Sequence, residues 1–232
     1  GEKAVASLTQ ILASYGKLSD EGVKIVDNLI NTINKLENVT TATADNITTA
    51  FLEASSSAAA VGVSEQELAA LSAFLVNMGV SADEAGTALR RLFDQVIEKA
   101  PEMAQVLGVS VDELYARFDS GQTVEVILEF ADAIKMAGGN AEQAALLIEI
   151  FEIRARKALQ RIAADPDSIR NLLSVAEAEF AGGNSAIREY ETSLFSLANQ
   201  FKLLENTVTV AMLNLSDSVA PAMSQLIAYA IE

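Results

Sequence analysis

The side chains in this sequence best suited to chemistry are carboxylates in close pairs: Glu65/Glu67, Asp83/Glu84 and Asp112/Glu113. Hydrolysis of a glycosidic bond needs two such groups, one to protonate the leaving oxygen and one to act as base or nucleophile. Each pair, however, closely follows a serine and falls in the first turn of a predicted helix. There the free backbone N–H groups and the positive end of the helix dipole favour a carboxylate without any catalysis. Few other reactive groups remain. The 232 residues contain no cysteine and no histidine, which removes disulfides, thiolate chemistry and the commonest general base and metal ligand. The sequence offers no catalytic, cofactor-binding or metal-ligating set, so no cofactor and no enzymatic activity are expected.

Two glycine pairs, Gly138-Gly139-Asn140 and Gly182-Gly183-Asn184, have the small residues of a phosphate loop. Neither follows a predicted strand, and neither is completed by the lysine and hydroxyl residue that such a loop requires. A helix stop followed by an asparagine cap explains both. Arg90-Arg91 and Arg154/Arg156/Lys157 are the basic clusters on predicted helices. Against them stands a net charge of −16, from 32 acidic and 16 basic residues. Nucleic-acid affinity depends on neutralising phosphates, so no direct nucleic-acid binding is expected. The arginines are expected to pair with nearby Asp and Glu, or to pack their stems with the charge outward.

The elements that carry these residues are helical. Half of the residues are hydrophobic, and aromatics are few; the apolar mass is Ala, Leu, Ile and Val, which suits closely packed helices. No useful strand alternation occurs, and the fold class is all-α. A first helix runs from Lys3 to Tyr15 and closes at Gly16. A second starts after Ser19 and presents Val23, Val26, Ile30 and Ile33 at helical spacing. Thr43 caps a third, with Ile47, Phe51 and Ala54 on one face. Ser64/Glu67, Ser81/Glu84 and Ser110/Glu113 read as three capping boxes. Pro101 opens a short helix that stops at Gly108, and Gly121 ends the helix that Ser110 begins. The next carries Val124, Ile127, Leu128 and Ala131. Asn140/Gln143 then starts a helix that is apolar nearly all round, with Ala144, Leu147, Phe151, Ala155 and Leu159 joined by Leu146, Ile150 and Ile153. Such a helix is expected at the centre of its domain, with Glu152 and Arg156 pairing four apart on its wet side. Asp165-Pro166 opens the last short helix, which ends at Gly182-Gly183.

Beyond Gly183 the pattern changes. Ile187, Tyr190, Leu194, Leu197, Phe201, Leu204, Val208, Ala211 and Leu215 recur at alternating threes and fours. A heptad seam of this kind winds helices together or lays one long helix along a bundle; at 1.5 Å per residue it is roughly 45–50 Å long. The expected organisation is a compact helical domain over residues 1–183 and a long, self-associating helix with the start of an apolar segment over 184–232. From Asn206 to Ile231 the one formal charge is Asp217, and the stretch is long enough to span a bilayer. Asn214, Ser216, Asp217, Ser218 and Pro221 near its middle are costly in lipid. A buried or self-association face is the preferred reading, and conditional contact with a host membrane is the alternative. The start, Gly-Glu-Lys-Ala, has neither a signal peptide's features nor an initiator methionine, and reads as a piece of a longer chain.

Several segments carry a more specific likeness. Gly62-Val63-Ser64-Glu65-Gln66-Glu67-Leu68, followed by Gly79-Val80-Ser81-Ala82-Asp83-Glu84-Ala85-Gly86-Thr87-Ala88-Leu89-Arg90, resembles the core region of phage tail tape measure proteins. In that family a "GvS-x-x-E-L-aaL" helix leads into "Gvs-a-dEAGTaLR". Upstream, Asp27-Asn28-Leu29-Ile30-Asn31 is similar to the family's "D-x-LN" helix. Downstream, Ile150-Phe151-Glu152-Ile153-Arg154-Ala155 is similar to "iFG-x-RA", with Glu152 where glycine is usual. Leu203, Leu204 and Asn206, then Ala220-Pro221, look like the "L-x-N" helix and the proline-containing apolar segment after it. The motif residues Ala85, Gly86, Thr87, Leu89, Arg90, Phe151 and Arg154 are read as packing residues, with Gly86 permitting a close helix approach.

The resemblance implies a helical structural protein of the virion, assembled in the host cytoplasm and lodged in the tail lumen. Such a protein sets tail length during assembly and leaves ahead of the genome on ejection. Its implied partners are the tail tube, the tail-tip or baseplate proteins and the tail assembly chaperones. Two rival readings are a membrane-active helical conduit for DNA and a tail-borne peptidoglycan hydrolase acting through Glu84 or Glu113.

Overall fold

Ten helices and no strand are found among the described residues. The computed structural model describes residues 13, 15–16, 20–138 and 141–183. All lie in the first of two units, Gly1–Ala186, the second being Ile187–Glu232. The expected heptad seam, the apolar segment after Asn206, the body of the first helix and the Asn140 and Ser19 caps fall outside the described residues. Those described form α1 (Asp20–Val39), α2 (Ala44–Ala60), α3 (Glu65–Asn77), α4 (Ala82–Val96) and α5 (Ala100–Leu107). They continue with α6 (Val111–Asp119), α7 (Thr123–Ala137), α8 (Ala141–Glu149), α9 (Ile153–Ala164) and α10 (Pro166–Gly182). The all-α class read from composition is the one observed.

The helix starts follow from local chemistry. Thr43 Oγ1 accepts the Asn46 N–H at 3.3 Å and starts α2, while Ser110 Oγ accepts the Glu113 N–H at 3.1 Å and starts α6. Asp165 accepts both the N–H and the hydroxyl of Ser168 ahead of α10, with Pro166 in the first turn. At α3 the Glu67 carboxylate returns to the Ser64 N–H at 2.8 Å and to its hydroxyl at 2.6 Å. Ser81 departs from the expected pattern. Its side chain makes no cap hydrogen bond, and the Glu84 carboxylate reaches across to the Lys157 ammonium of α9 instead. A charged partner on a neighbouring helix has replaced the local box.

The core is built around α3, in which every residue from Leu68 to Leu75 is buried. Its Ala69, Ala70, Ser72 and Ala73 are small enough for neighbours to approach from all sides. Helices α2, α4 and α10 pack on it, α10 also lies on α1, and α9 joins α4 to α7. Phe51, Phe74, Phe93, Phe130 and Phe151 are fully buried, each contributing roughly 1.5–3 kcal/mol of transfer free energy.

Three expectations are corrected here. The buried stripe of α1 is Leu29, Ile33 and Leu36, at a spacing of four and three, whereas Ile30 is 41% exposed. The helix expected to be central does not run unbroken through residue 151. It stops at Glu149 and restarts at Ile153, with Glu152 extended at φ −64° and ψ 156°. Ile153 is therefore 72% exposed, and the central position belongs to α3. Finally, Glu152 and Arg156 do not pair: the Arg156 guanidinium donates to the Phe151 carbonyl and to the Glu149 carbonyl. Those carbonyls are freed by the break, and a charged donor satisfies them. Among the described residues no helix is long and apolar enough to cross a membrane.

Candidate functional site

The motif residues converge on α4, which touches α2 along one face and the α8–α9 turn at its far end. Gly86 is the closest approach. A Cβ built there would stand 2.6 Å from Glu53 Cβ and 2.8 Å from the Ala50 carbonyl oxygen, so no larger residue fits without moving α2. One turn on, Arg90 Nε meets Glu53 Oε1 at 3.0 Å. The glycine admits the stem of Glu53, and the arginine four residues later grips its carboxylate. A further turn along, Ser57 donates to Asp94 at 2.6 Å. Contacts that ascend in step on both helices mean that α2 and α4 run in the same direction. Ala85 and Leu89 are fully buried on the neighbouring face and Thr87 is half-buried.

The end of α4 holds the second motif. Gln95, 6% exposed, accepts the Glu152 backbone N–H through Oε1 at 2.9 Å. Phe151 is buried beside it in the chain and meets Phe130 of α7 edge to face, ring centroids 5.9 Å apart at 67°. Glu152, at the position where the resemblance leads one to expect glycine, has a negative φ of −64°, which any residue adopts, so no backbone strain arises there. Arg154 points outward and is exposed.

A third junction was not legible as one in the sequence. The α2–α3 turn and the α6–α7 turn cross at Gly62 and Gly121, with φ of +75° and +79°. A Cβ on Gly62 would lie 3.3 Å from the Phe118 carbonyl oxygen and 3.5 Å from Gly121 Cα. The Thr123 hydroxyl seals the crossing by donating to the Val61 carbonyl. From sequence Gly121 reads as a helix stop and Gly62 as the first residue of a motif; their mutual contact has no local signature. Gln95 did leave a trace, as a polar residue three after Leu92 within an apolar stripe.

The three carboxylate pairs stand at the starts of three separate helices, α3, α4 and α6. Glu65 is buried and Glu67 is engaged with Ser64. Burial, with the charges of Glu65 and Glu67, pushes the Tyr15 phenol well above its usual range; its ring lies 6.4 Å from that of Phe51. A groove of about 690 Å³ is lined by Glu67, Glu125, Glu177 and Arg170 among others, but Arg170 is held by Asp132. That hydrogen-bonded partner raises the Arg170 pKa, as Glu129 raises that of Arg117. Hydrogen bonds from the Ser168 hydroxyl and N–H hold Asp165 below the ordinary carboxylate range. No group of three or more acidic residues among those described is arranged to hold a metal ion. What the described geometry does is lock helices together.

Comparison with known proteins agrees with a structural reading. No curated protein and no solved structure matches the chain. The profile of one family, described as phage-related minor tail protein, matches residues 1–152. That span takes in α1 to α8, with the Gly86 approach, the Gly62–Gly121 crossing and Gln95, and it ends at Glu152. The chain belongs to the phage-related minor tail protein family.

Proposed function

We propose that this chain is part of a tape measure protein, lodged in the lumen of the tail, that templates tail tube length during assembly and leaves ahead of the genome on ejection. Family membership makes it a structural tail component of the virion that associates with other tail components. The observation that carries the finer reading is the order of tape measure motifs along the chain. Two of them come together on one helix: the Gly86–Arg90 segment is part of α4, and the Phe151 turn is tied to Gln95 near the end of that helix. In this reading residues 1–183 are an anchoring module, because short, individually capped helices do not make a rod. Residues 184–232 begin the extended part, with Ile187, Tyr190, Leu194, Leu197, Phe201, Leu204, Val208 and Leu215 as the self-association seam. A continuous helix converts residue count to length at a fixed rise, so tube subunits add until the template is covered. The partners are the tube, the tail-tip or baseplate proteins and the assembly chaperones. Duplex DNA is not one, because the surface is strongly acidic.

The test is deletion of residues 187–215 in an assembling tail system, followed by electron microscopy of the tubes. Tubes that are shorter or scattered in length support the reading. Tubes of unchanged, uniform length refute it.

A further inference from the structure

Seven arginines lie among the described residues, and five of them have visible partners. Arg90, Arg91, Arg117 and Arg170 pair with carboxylates, and Arg156 binds backbone carbonyls. Arg154 and Arg161 are exposed and have no ion-pair partner among the described residues, although acids outnumber bases two to one. They sit seven residues apart on α9, on one face, with Lys157 between them. Helix α9 has no acidic residue of its own. Asp83 and Glu84 share a groove of about 440 Å³ with Arg154 and Lys157, and Glu152 lines another groove with Arg154 at the helix start. Glu84 is taken up by Lys157, so the two arginines remain available. Beside them Ile153 is 72% exposed.

Helix α6 carries the complementary pattern. Asp112 and Asp119 are exposed, seven residues apart, and neither has an ion-pair partner among the described residues. Tyr115 stands between them, 38% exposed. The one base on α6, Arg117, is turned away to Glu129 and Gln122. In both helices a seven-residue separation is a rise of about 10.5 Å, so the two rows match in length.

We propose that the Arg154–Lys157–Arg161 row of α9 docks antiparallel onto the Asp112–Tyr115–Asp119 row of α6 on a second copy of this chain. Arg154 then faces Asp119, Arg161 faces Asp112, and Tyr115 falls against Lys157, where a cation over an aromatic face is favoured. Because the two faces differ, the contact is heterologous: one copy keeps its α6 row free and the other its α9 row, so the pair carries one free face of each kind. Repetition gives a ring if the rotation closes and a string if it does not. A nucleic acid is the poorer occupant. Two free arginines and one paired lysine give few phosphate contacts, and the rest of the surface repels a polyanion. The contact is independent of the seam after Gly183. Exposed ion pairs are individually weak and screened by salt, so the association should be weak and salt-sensitive.

The test is sedimentation velocity on the full chain carrying Leu197→Asp, which disables the seam, so that failure of one contact is not mistaken for failure of the other. At about 0.05 M salt the chain should associate with concentration, and at about 0.5 M this should weaken at least tenfold, as screening shortens. Arg154→Asp with Arg161→Asp, or Asp112→Arg with Asp119→Arg, should each weaken association at least tenfold, and an equimolar mixture of the two should restore it. The milder Arg154→Gln with Arg161→Gln must also weaken it. A chain that stays monomeric at low salt, or a mixture that does not recover, overturns the proposal. Binding of a short DNA duplex that the reversed α9 loses, without recovery in the mixture, overturns it in favour of a nucleic-acid face.

Discussion

Gln95 Oε1 accepts the backbone N–H of Glu152 at 2.9 Å, across 57 residues of sequence. The bond explains why a stretch with neither glycine nor proline between Ala141 and Ala164 is two helices and not one. The break is held from outside, by a buried amide from α4, by the burial of Phe151, and by Arg156 on the freed carbonyls.

Replacing Gln95 with leucine keeps the volume and removes the acceptor. The Glu152 N–H is then left unsatisfied, at a cost of about 1–3 kcal/mol. Urea unfolding of the two proteins should show this as a lower midpoint with an unchanged slope. Equal midpoints would mean that the break does not depend on Gln95.

Gly86→Ala sets two effects against each other. Alanine gains about 1 kcal/mol of helix propensity over glycine, but its methyl would lie 2.6 Å from Glu53 Cβ and 2.8 Å from a rigid carbonyl oxygen. Overpacking of this kind costs about 1–3 kcal/mol, so a net loss of stability is expected. Gly182→Ala, where a methyl meets nothing within 4 Å, is the control and should lose nothing. A Gly86→Ala protein as stable as the control would show that α2 yields freely.

Asp165→Ala tests the α10 cap. Losing a cap costs about 1 kcal/mol at neutral pH. The Asp165 pKa lies below its ordinary 3.8 in the folded protein. Its contribution is therefore complete above that ordinary value and is lost as pH falls through the lowered one. Thermal melts should show a gap between the two proteins at pH 7 that closes in acid below about pH 4. A gap that persists undiminished well below the folded pKa would contradict the cap.

Phe151→Ala should cost about 3–5 kcal/mol, as for other large-to-small changes in a core. A double-mutant cycle with Phe130→Ala should return a coupling of about 0.5–1.5 kcal/mol from the edge-to-face pair. Strict additivity would mean that the rings contribute only by their separate burial.

The signals that were legible in the sequence are the local ones. Thr43, Ser110, Pro101 and Asp165 act through neighbours within a turn, so their helix starts could be read directly. The space around Gly86 was expected from small flanking residues, but its occupant, Glu53, lies 33 positions away and was not. The all-round burial of α3 leaves little trace in the sequence because alanine and serine are only weakly hydrophobic, whereas Ile150 and Ile153 lie in a strongly apolar stretch whose helix breaks between them. Ser81 and Glu84 satisfy a local rule that Lys157, 73 residues distant, overrides. Local rules fail where a long-range partner competes for the same side chain.

On the proposed reading, residue count in the extended part becomes tail length. Four heptads inserted in register between Asn206 and Thr207, in a system that assembles tails, would add about 42 Å at the helical rise. Electron microscopy should find tubes longer by that amount, within the spacing of whole tube rings. Tubes of the original length, with the lengthened protein present in them, would contradict the account.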